Sequence, residues 1–117
     1  MKKIEVVAAI IYHKNKILCV QRNLNKYSYI SKKYEFPGGK IESNETHVEA
    51  LIREIFEELN MDIAVNDLFL SVDHKYPDFR LLMHTYKCTT KSQELVLNEH
   101  IDYKWLSEYE IENLDWA

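Results

Sequence analysis

Glu54, Glu57 and Glu58 are the residues of this sequence whose types and spacing are best suited to chemistry. On a helix turning by about 100° per residue, the three carboxylates share an arc of about 100°. Ala50 falls inside the same arc and leaves room for something to approach. Carboxylate oxygens are hard donors, suited to Mg²⁺, with Mn²⁺ as a substitute. Without a counterion, each like-charge pair at i,i+3 or i,i+4 destabilises the helix by about 0.2–0.5 kcal/mol. The helix alone leaves two readings open. Arg53 has i,i+4 partners in Glu49 and Glu57, and a plain salt-bridged, solvated face accounts for the same pattern.

The residues just upstream favour the metal reading. Pro37-Gly38-Gly39-Lys40 contains the only two glycines of the chain. Adjacent glycines after a proline predict a tight backbone feature whose carbonyls or amides face a ligand closely. Lys40 brings positive charge to a phosphate site.

These residues need a scaffold, and the hydrophobic pattern supplies one. Ile4 to Tyr12 reads as a buried strand, His13 to Lys16 as a polar turn, and Ile17 to Gln21 as the hairpin partner. Arg22 to Lys33 reads as a surface loop, and Tyr34 to Phe36 as a short extended piece held by Pro37. Thr46 to Leu59 is the clearest helix. Thr46 and Glu49 form a capping box, Val48, Leu51, Ile52, Ile55 and Leu59 form one apolar face, and Asn60 supplies a left-handed C-terminal cap. Leu68 to Tyr76 and Leu81 to Cys88 are predicted strands around a Pro77-Asp78 turn. Ile101 to Leu106 is a last strand, and Ser107 to Leu114 a closing helix with Ser107 and Glu110 as a second capping box. The fold class is therefore α/β or α+β, with a mixed sheet sandwiched by helices.

The 117 residues predict a single domain over 1–117. A net charge of −4 carries no electrostatic footprint for a nucleic-acid polymer. No run approaches the ~18 apolar residues of a membrane span, and the N-terminus starts a strand rather than a signal peptide, so a cytoplasmic location is the default expectation. Cys19 and Cys88 lack metal-ligand spacing and read as reduced, buried small hydrophobes. The five histidines show no metal or triad spacing, and His47 reads as a surface residue. A monomer and a homodimer are both compatible with the pattern.

The stretch from Gly39 to Met61 resembles the Nudix box, Gly-x5-Glu-x7-Arg-Glu-U-x-Glu-Glu-x-Gly-U, where U is bulky and apolar. Gly39, Glu45, Arg53, Glu54, Ile55, Glu57, Glu58 and Met61 match in register. Asn60 stands at the second glycine, where it tolerates the helix-ending backbone. The flanks are similar to the MutT-like branch: Glu35-Phe36-Pro37-Gly38-Gly39-Lys40 leads into the box, and Arg22 matches an arginine that contacts nucleotide in that branch. The tyrosine-containing loop before Tyr34 and the ending Leu114 to Ala117 look most like the bacterial 8-oxo-dGTP diphosphatase and CTP pyrophosphohydrolase subgroup.

The resemblance implies a Nudix-type α/β/α sandwich with a loop-helix-loop catalytic motif. It also implies a Mg²⁺-dependent hydrolase that cuts a nucleoside triphosphate, such as 8-oxo-dGTP, CTP or dCTP, to the monophosphate and pyrophosphate. Glu54, Glu57 and Glu58 are then the metal ligands, with the Gly38 carbonyl and Glu99 as further ligands by resemblance. Glu54 is the first candidate for general base and Glu99 the second. Arg53 orients Glu57 or Glu45 rather than touching substrate. Arg22, Glu35, Phe36, Pro37, Gly38 and Lys40 are the substrate-binding candidates. Phe36 and Tyr76 either flank the base or belong to the core. Gly39, Glu45 and Asn60 shape the motif. MutT-like chains normally continue past Asp-Trp-Ala into a helix bearing a residue that reads the base edge; this sequence stops at Ala117, either because the chain is naturally short or because that tail was lost. Two alternatives stand beside this reading: a Nudix hydrolase of ADP-ribose or dinucleotides, and a catalytically silent nucleotide-binding module.

Overall fold

The computed structural model describes residues 2–24 and 30–116. The middle of the loop expected over 22–33 thus lies outside the described residues. Seven strands and one α-helix follow in the order β1 (Lys2–His13), β2 (Lys16–Gln21), β3 (Tyr34–Glu35), β4 (Gly38–Lys40), α1 (His47–Leu59), β5 (Ala64–Lys75), β6 (Phe79–Thr89) and β7 (Asp102–Leu106). The sheet runs β3-β2-β1-β6-β5, with β4 also on β1 and β7 also on β2. It is mixed: β1 and β6 are parallel, and the other pairs are antiparallel.

Local chemistry accounts for the joints. Lys14 and Asn15 both take positive φ (49° and 66°), the geometry of the two-residue hairpin whose twist matches its strands. Thr46 caps α1 with both halves of the capping box present: its hydroxyl accepts from the Glu49 amide, and the Glu49 carboxylate accepts from the Thr46 amide. Asn60 ends the helix at φ 54°, ψ 38°, its amide donating to the Phe56 carbonyl. The predicted β5 and β6 exist but extend further, to Ala64 and to Phe79–Thr89.

One face of the sheet (Val7, Ala9, Ile11, Leu18, Val20 and Cys88) packs against Leu51, Ile55 and Leu59 of α1. The other face buries Ile10, Ile17 and Cys19 with Tyr34, covered by Ile111, Leu114 and Trp116. This second cover is thinner than expected. The closing helix predicted over Ser107–Leu114 is only a turn and a 3-10 segment at Ile111–Asn113. Its predicted capping box is half made, the Ser107 amide donating to Glu110. The segment makes one i→i−4 bond, from the Ile111 amide to the Ser107 carbonyl, and is too short to propagate it into an α-helix. Instead it is pinned by the Trp116 indole N–H on the Ile111 carbonyl and by the Tyr34 amide on the Asp115 carbonyl.

Two further expectations are corrected. Val48 and Ile52 are exposed rather than part of the buried face, as is Phe56. The buried residues of α1 are Ala50, Leu51, Ile55, Glu58 and Leu59. The buried arc is therefore rotated by about 60° from the apolar stripe toward the acidic one. Ala50 is fully enclosed and leaves no opening. The glycine pair, for its part, forms strand β4 and has no positive φ. Its glycines are required by close approach: a Cβ on Gly38 would lie 2.0 Å from the Val7 carbonyl oxygen, and one on Gly39 would lie 2.3 Å from a Glu54 carboxylate oxygen.

These backbone constraints make two substitutions informative in thermal or denaturant unfolding. Gly38→Ala is expected to lose about 1–3 kcal/mol or more, because β4 must separate from β1 to admit the methyl group. Asn60→Val is expected to lose about 1–2 kcal/mol from the left-handed conformation, while Asn60→Gly stays near wild type. Equal stability of Asn60→Val and Asn60→Gly would show that the cap conformation does not matter.

Candidate active site

Strand β4 pairs with β1, and α1 packs against both strands, which sets the geometry of the motif. Gly39 leaves space into which the Glu54 carboxylate fits. On the outer side of the helix, Arg53 gathers the neighbouring acids. Its Nε and Nη2 donate to the two Glu45 oxygens at 2.7 and 2.8 Å, a bidentate pair. Its Nη1 donates to Glu54 at 2.8 Å and to Glu57 at 3.3 Å, and Nη2 also reaches the Lys40 carbonyl at 3.1 Å. The Arg53 guanidinium, helped by the Glu42 backbone amide, holds the Glu45 carboxyl down to about 2. Glu45 and Glu54 in turn hold the proton of Arg53 more firmly than usual. Arg53 thus bridges the loop before α1, strand β4 and the helix itself.

Glu58 lies in the opposite situation. It is only 3% exposed, at the centre of the buried arc of α1. Burial, then the charges of Glu54, Glu99 and Glu35, push its carboxyl up to about 9. Its Oε1 has no hydrogen-bond partner, and the His100 imidazole lies 3.8 Å from its Oε2. A buried carboxylate with an unused oxygen, flanked by other carboxylates, is the donor chemistry that a hard divalent cation fits. Glu57 is 55% exposed at its side chain and turned toward Arg53.

The loop before β7 closes the site from the C-terminal end of the helix. The Asn98 amide donates to the Glu58 carbonyl and its side chain to the Glu57 carbonyl, while the Val96 amide donates to Leu59. These bonds satisfy helix-end carbonyls that would otherwise be left unpaired. They also bring Glu99 and His100 to the same cavity as Glu58. His100 is buried, its Nε2 3.0 Å from Glu35 Oε2, and Arg22 donates to Glu35 Oε1 at 3.0 Å. Glu35 therefore links a basic residue on β2's exit to the imidazole beside Glu58.

The cavity measures about 470 Å³. Val6, Ala8, Leu81 and Met83, on the sheet face opposite α1, form its apolar floor. Arg22, Glu35, Phe36, Gly38, Lys40, Glu58 and Glu99 of the expected site all line it. Pro37 is buried beside it, its carbonyl accepting from the Ala9 amide. Glu54 stands behind Gly39, and Glu45 and Asn60 shape the motif from its two ends. Tyr76 is not brought here. It stacks on Phe79 at the β5–β6 turn, so of the two aromatic candidates only Phe36, packed on Trp116 at 4.9 Å, lies at the cavity. His100 escaped the sequence reading, which judged histidines by spacing along the chain. Its adjacency to Glu99 was the only available signal.

The comparisons agree with this geometry. The family model described as NUDIX domain matches residues 2–117. An 8-oxo-dGTP diphosphatase of Proteus vulgaris is 37% identical over 95 residues, covering 80% of this chain and 83% of its own length. A CTP pyrophosphohydrolase of Escherichia coli (strain K12) is 36% identical over 107 residues, covering 92% of this chain and 78% of its own. Among solved structures, the solution structure of a MutT protein, family Nudix hydrolase, from methicillin-resistant Staphylococcus aureus 252 superposes on all of this chain and 89% of that one. The TM-score is 0.76 and the identity 44%. The E. coli ORF135 protein gives a TM-score of 0.83 at 32% identity, covering all of this chain and 82% of that one. No helix among the described residues is long and apolar enough to cross a membrane. A full-length family match, close MutT-like relatives and an intact acidic motif on the expected scaffold agree, and the chain belongs to the Nudix hydrolase family.

Proposed function

We propose that this hydrolase, acting as one Nudix domain, is a Mg²⁺-dependent nucleoside triphosphate pyrophosphohydrolase, releasing a nucleoside monophosphate and pyrophosphate. The observation that carries the reading is Glu58: a buried carboxylate with an unpartnered oxygen, facing a cavity that also holds Lys40 and Arg22. Relatives that act on 8-oxo-dGTP, on CTP and, more distantly, on dihydroneopterin triphosphate support a triphosphate as the substrate class. An 8-oxo-dGTP or a CTP/dCTP-like nucleotide is the preferred assignment.

Glu54, Glu57 and Glu58, with the Gly38 carbonyl and Glu99, would hold the cation, and Mn²⁺ would substitute. A bound divalent ion supplies charge neutralisation at the phosphate oxygens and makes nearby water more acidic. The protein's own part is alignment. Lys40 and Arg22 meet the phosphates and the nucleotide, and Phe36 with the apolar floor meets the base. Glu54, placed by Gly39 on one side and Arg53 on the other, accepts the proton of the attacking water. Arg53 acts as a positioning residue through Glu45, Glu54 and Glu57. Glu35 and His100 set the orientation of Arg22 beside Glu58. Intact box carboxylates favour this reading over a silent binding module.

The substrate assignment is tested by incubating the protein and Mg²⁺ with unmodified and oxidised NTPs and dNTPs, dihydroneopterin triphosphate, ADP-ribose and dinucleotides, and identifying products. Pyrophosphate from triphosphates alone is expected. Turnover confined to ADP-ribose or dinucleotides would replace this reading with the second Nudix activity. Glu58→Gln and Glu57→Gln are each expected to lower kcat by roughly 10²-fold or more, the scale for removing one group that stabilises transition-state charge. Near-normal kcat in both variants would remove the metal assignment.

The buried carboxyl also predicts a pH signature. Its folded pKa of about 9 exceeds the ordinary value of 4.5. Between those values the folded chain keeps a proton that the unfolded chain has lost, so stability falls as pH rises through that window. In chelator, Tm is expected to drop as pH rises from about 5 to about 9. Excess Mg²⁺ should reduce the drop, and Glu58→Gln should flatten it. A wild-type Tm that holds level in chelator across that range would show that Glu58 is not held neutral by its surroundings.

A further inference from the structure

A second cluster of donors lies on the α1 side of the sheet, away from the cavity. One ligand atom each from Glu5, His47 and His84 lies within 4.8 Å of the others. Three distant segments supply them. Glu5 and His84 share a sheet face on the parallel pair β1–β6, where Val7 is the register partner of His84. His47 is the first residue of α1. The two imidazoles stack at a centroid distance of 4.2 Å, and His84 Nε2 is 2.8 Å from Glu5 Oε2. The site stands about 10 Å along the helix from Glu54, seven residues away at about 1.5 Å each.

The outer nitrogens of both rings are already held. His47 Nδ1 is 2.8 Å from the Tyr86 hydroxyl, and His84 Nδ1 is 2.8 Å from the Ser71 hydroxyl. Histidines that bind metal are usually oriented in this way, by a partner on the nitrogen that does not bind. Nε2 is then the nitrogen each ring has to offer. The geometry points to a transition-metal site at Glu5, His47 and His84, taking Zn²⁺ or a similar borderline-soft divalent ion through two imidazole nitrogens and one carboxylate oxygen.

The chemistry differs from that of the acidic helix. Imidazole favours Zn²⁺, Ni²⁺ or Cu²⁺ and does not suit Mg²⁺. Two histidines and a glutamate with an open fourth position are a known zinc arrangement. Ligand atoms around tetrahedral zinc stand about 3.3 Å apart, from bonds of about 2.0–2.1 Å. On binding, the Glu5–His84 contact therefore opens by about half an ångström, the ligand atoms that stand up to 4.8 Å apart close in, and the two stacked rings turn out of their parallel arrangement so that both lone pairs point at the ion. The proton now on His84 Nε2 must leave that nitrogen. Nδ1 then donates to Ser71, whose hydroxyl switches from donor to acceptor, a change open to any serine. The His84 side chain is 12% exposed and that of Glu5 41%, so an ion has a path in from the Glu5 side and water can fill the fourth position. Filled, the site ties the first turn of α1 to two central strands.

The test uses the whole chain in excess Mg²⁺, which occupies oxygen-only sites, with Zn²⁺ as titrant. Calorimetry is expected to show one Zn²⁺ per chain. Affinity should fall at least about tenfold in His47→Ala, His84→Gln and Glu5→Gln, and by about tenfold in Tyr86→Phe, which removes only the orienting hydroxyl. His74→Gln should match wild type. Nitrogen-15 spectra of the side-chain imidazoles in the unmutated protein keep the test independent of folding in the variants. Zn²⁺ should shift Nε2 of His47 and His84 and leave His13, His74 and His100 in place. Absence of Zn²⁺ binding, shifts at other histidines, or equal affinity in the ligand variants would each overturn the site and leave Glu5–His84 as a plain ion pair.

Discussion

Burying the Glu58 carboxyl is the constraint on which the rest of the site depends. A helix whose apolar stripe is centred near Ile55 would, left to hydrophobic burial alone, turn Val48 and Ile52 inward. It does not: both are exposed, and the buried arc is centred on the seam between apolar and acidic residues. Leaving two β-branched side chains 42% and 43% exposed forfeits about 0.6–1.3 kcal/mol each when compared with full burial. Holding a carboxyl out of water adds a further penalty. Both terms oppose folding and act in favour of a site that accepts positive charge. The same rotation encloses Ala50, whose small side chain lets the helix approach the sheet closely.

Arg53 and Glu58 divide the electrostatic work between two sides of one helix. Arg53 satisfies Glu45, Glu54 and Glu57 from the solvent side and fixes the loop to β4 through the Lys40 carbonyl. Glu58 faces inward, with the His100 imidazole 3.8 Å away. Glu54 lies between them, against Gly39, and interacts with both. Of the two inner carboxylates, Glu54 is therefore already oriented by Arg53, while Glu58 keeps an unpartnered oxygen. The two glycines are what permit this contact, since a methyl group at either would strike the β1 backbone or the Glu54 carboxylate.

What could be read along the chain is what local geometry encodes. The helix, its capping box, its left-handed Asn60 cap and the spacing of the box residues depend on neighbours within a few positions, and these were legible. The rotation of α1 was not, because it is decided by tertiary contact with β1 and β4, not by the helix's own periodicity. The closing helix failed for a related reason: Ser107 and Glu110 carry a start signal, but the segment lacks the length and apolar face to propagate. Tyr76 is similar in type to Phe36 but lies at the β5–β6 turn, outside the cavity lining, a difference that appears only once β5 and β6 are paired. His100 and the Glu5–His47–His84 group are invisible to any search by spacing, since their members meet through the parallel β1–β6 pairing and the docking of two loops.

The helix thus stands between two donor sets of different softness, and their separation follows from the sheet. Toward its C-terminal half α1 presents only oxygen donors, beside a cavity whose basic residues suit phosphate. At its first turn His47 meets His84 of the parallel β1–β6 pair, each ring held by a hydroxyl. A hard ion gains little from imidazole, and a borderline-soft ion that prefers imidazole is drawn away from the carboxylates. Affinity alone ranks most sites in favour of the later transition metals, so an all-oxygen site selects Mg²⁺ through abundance and geometry rather than strength.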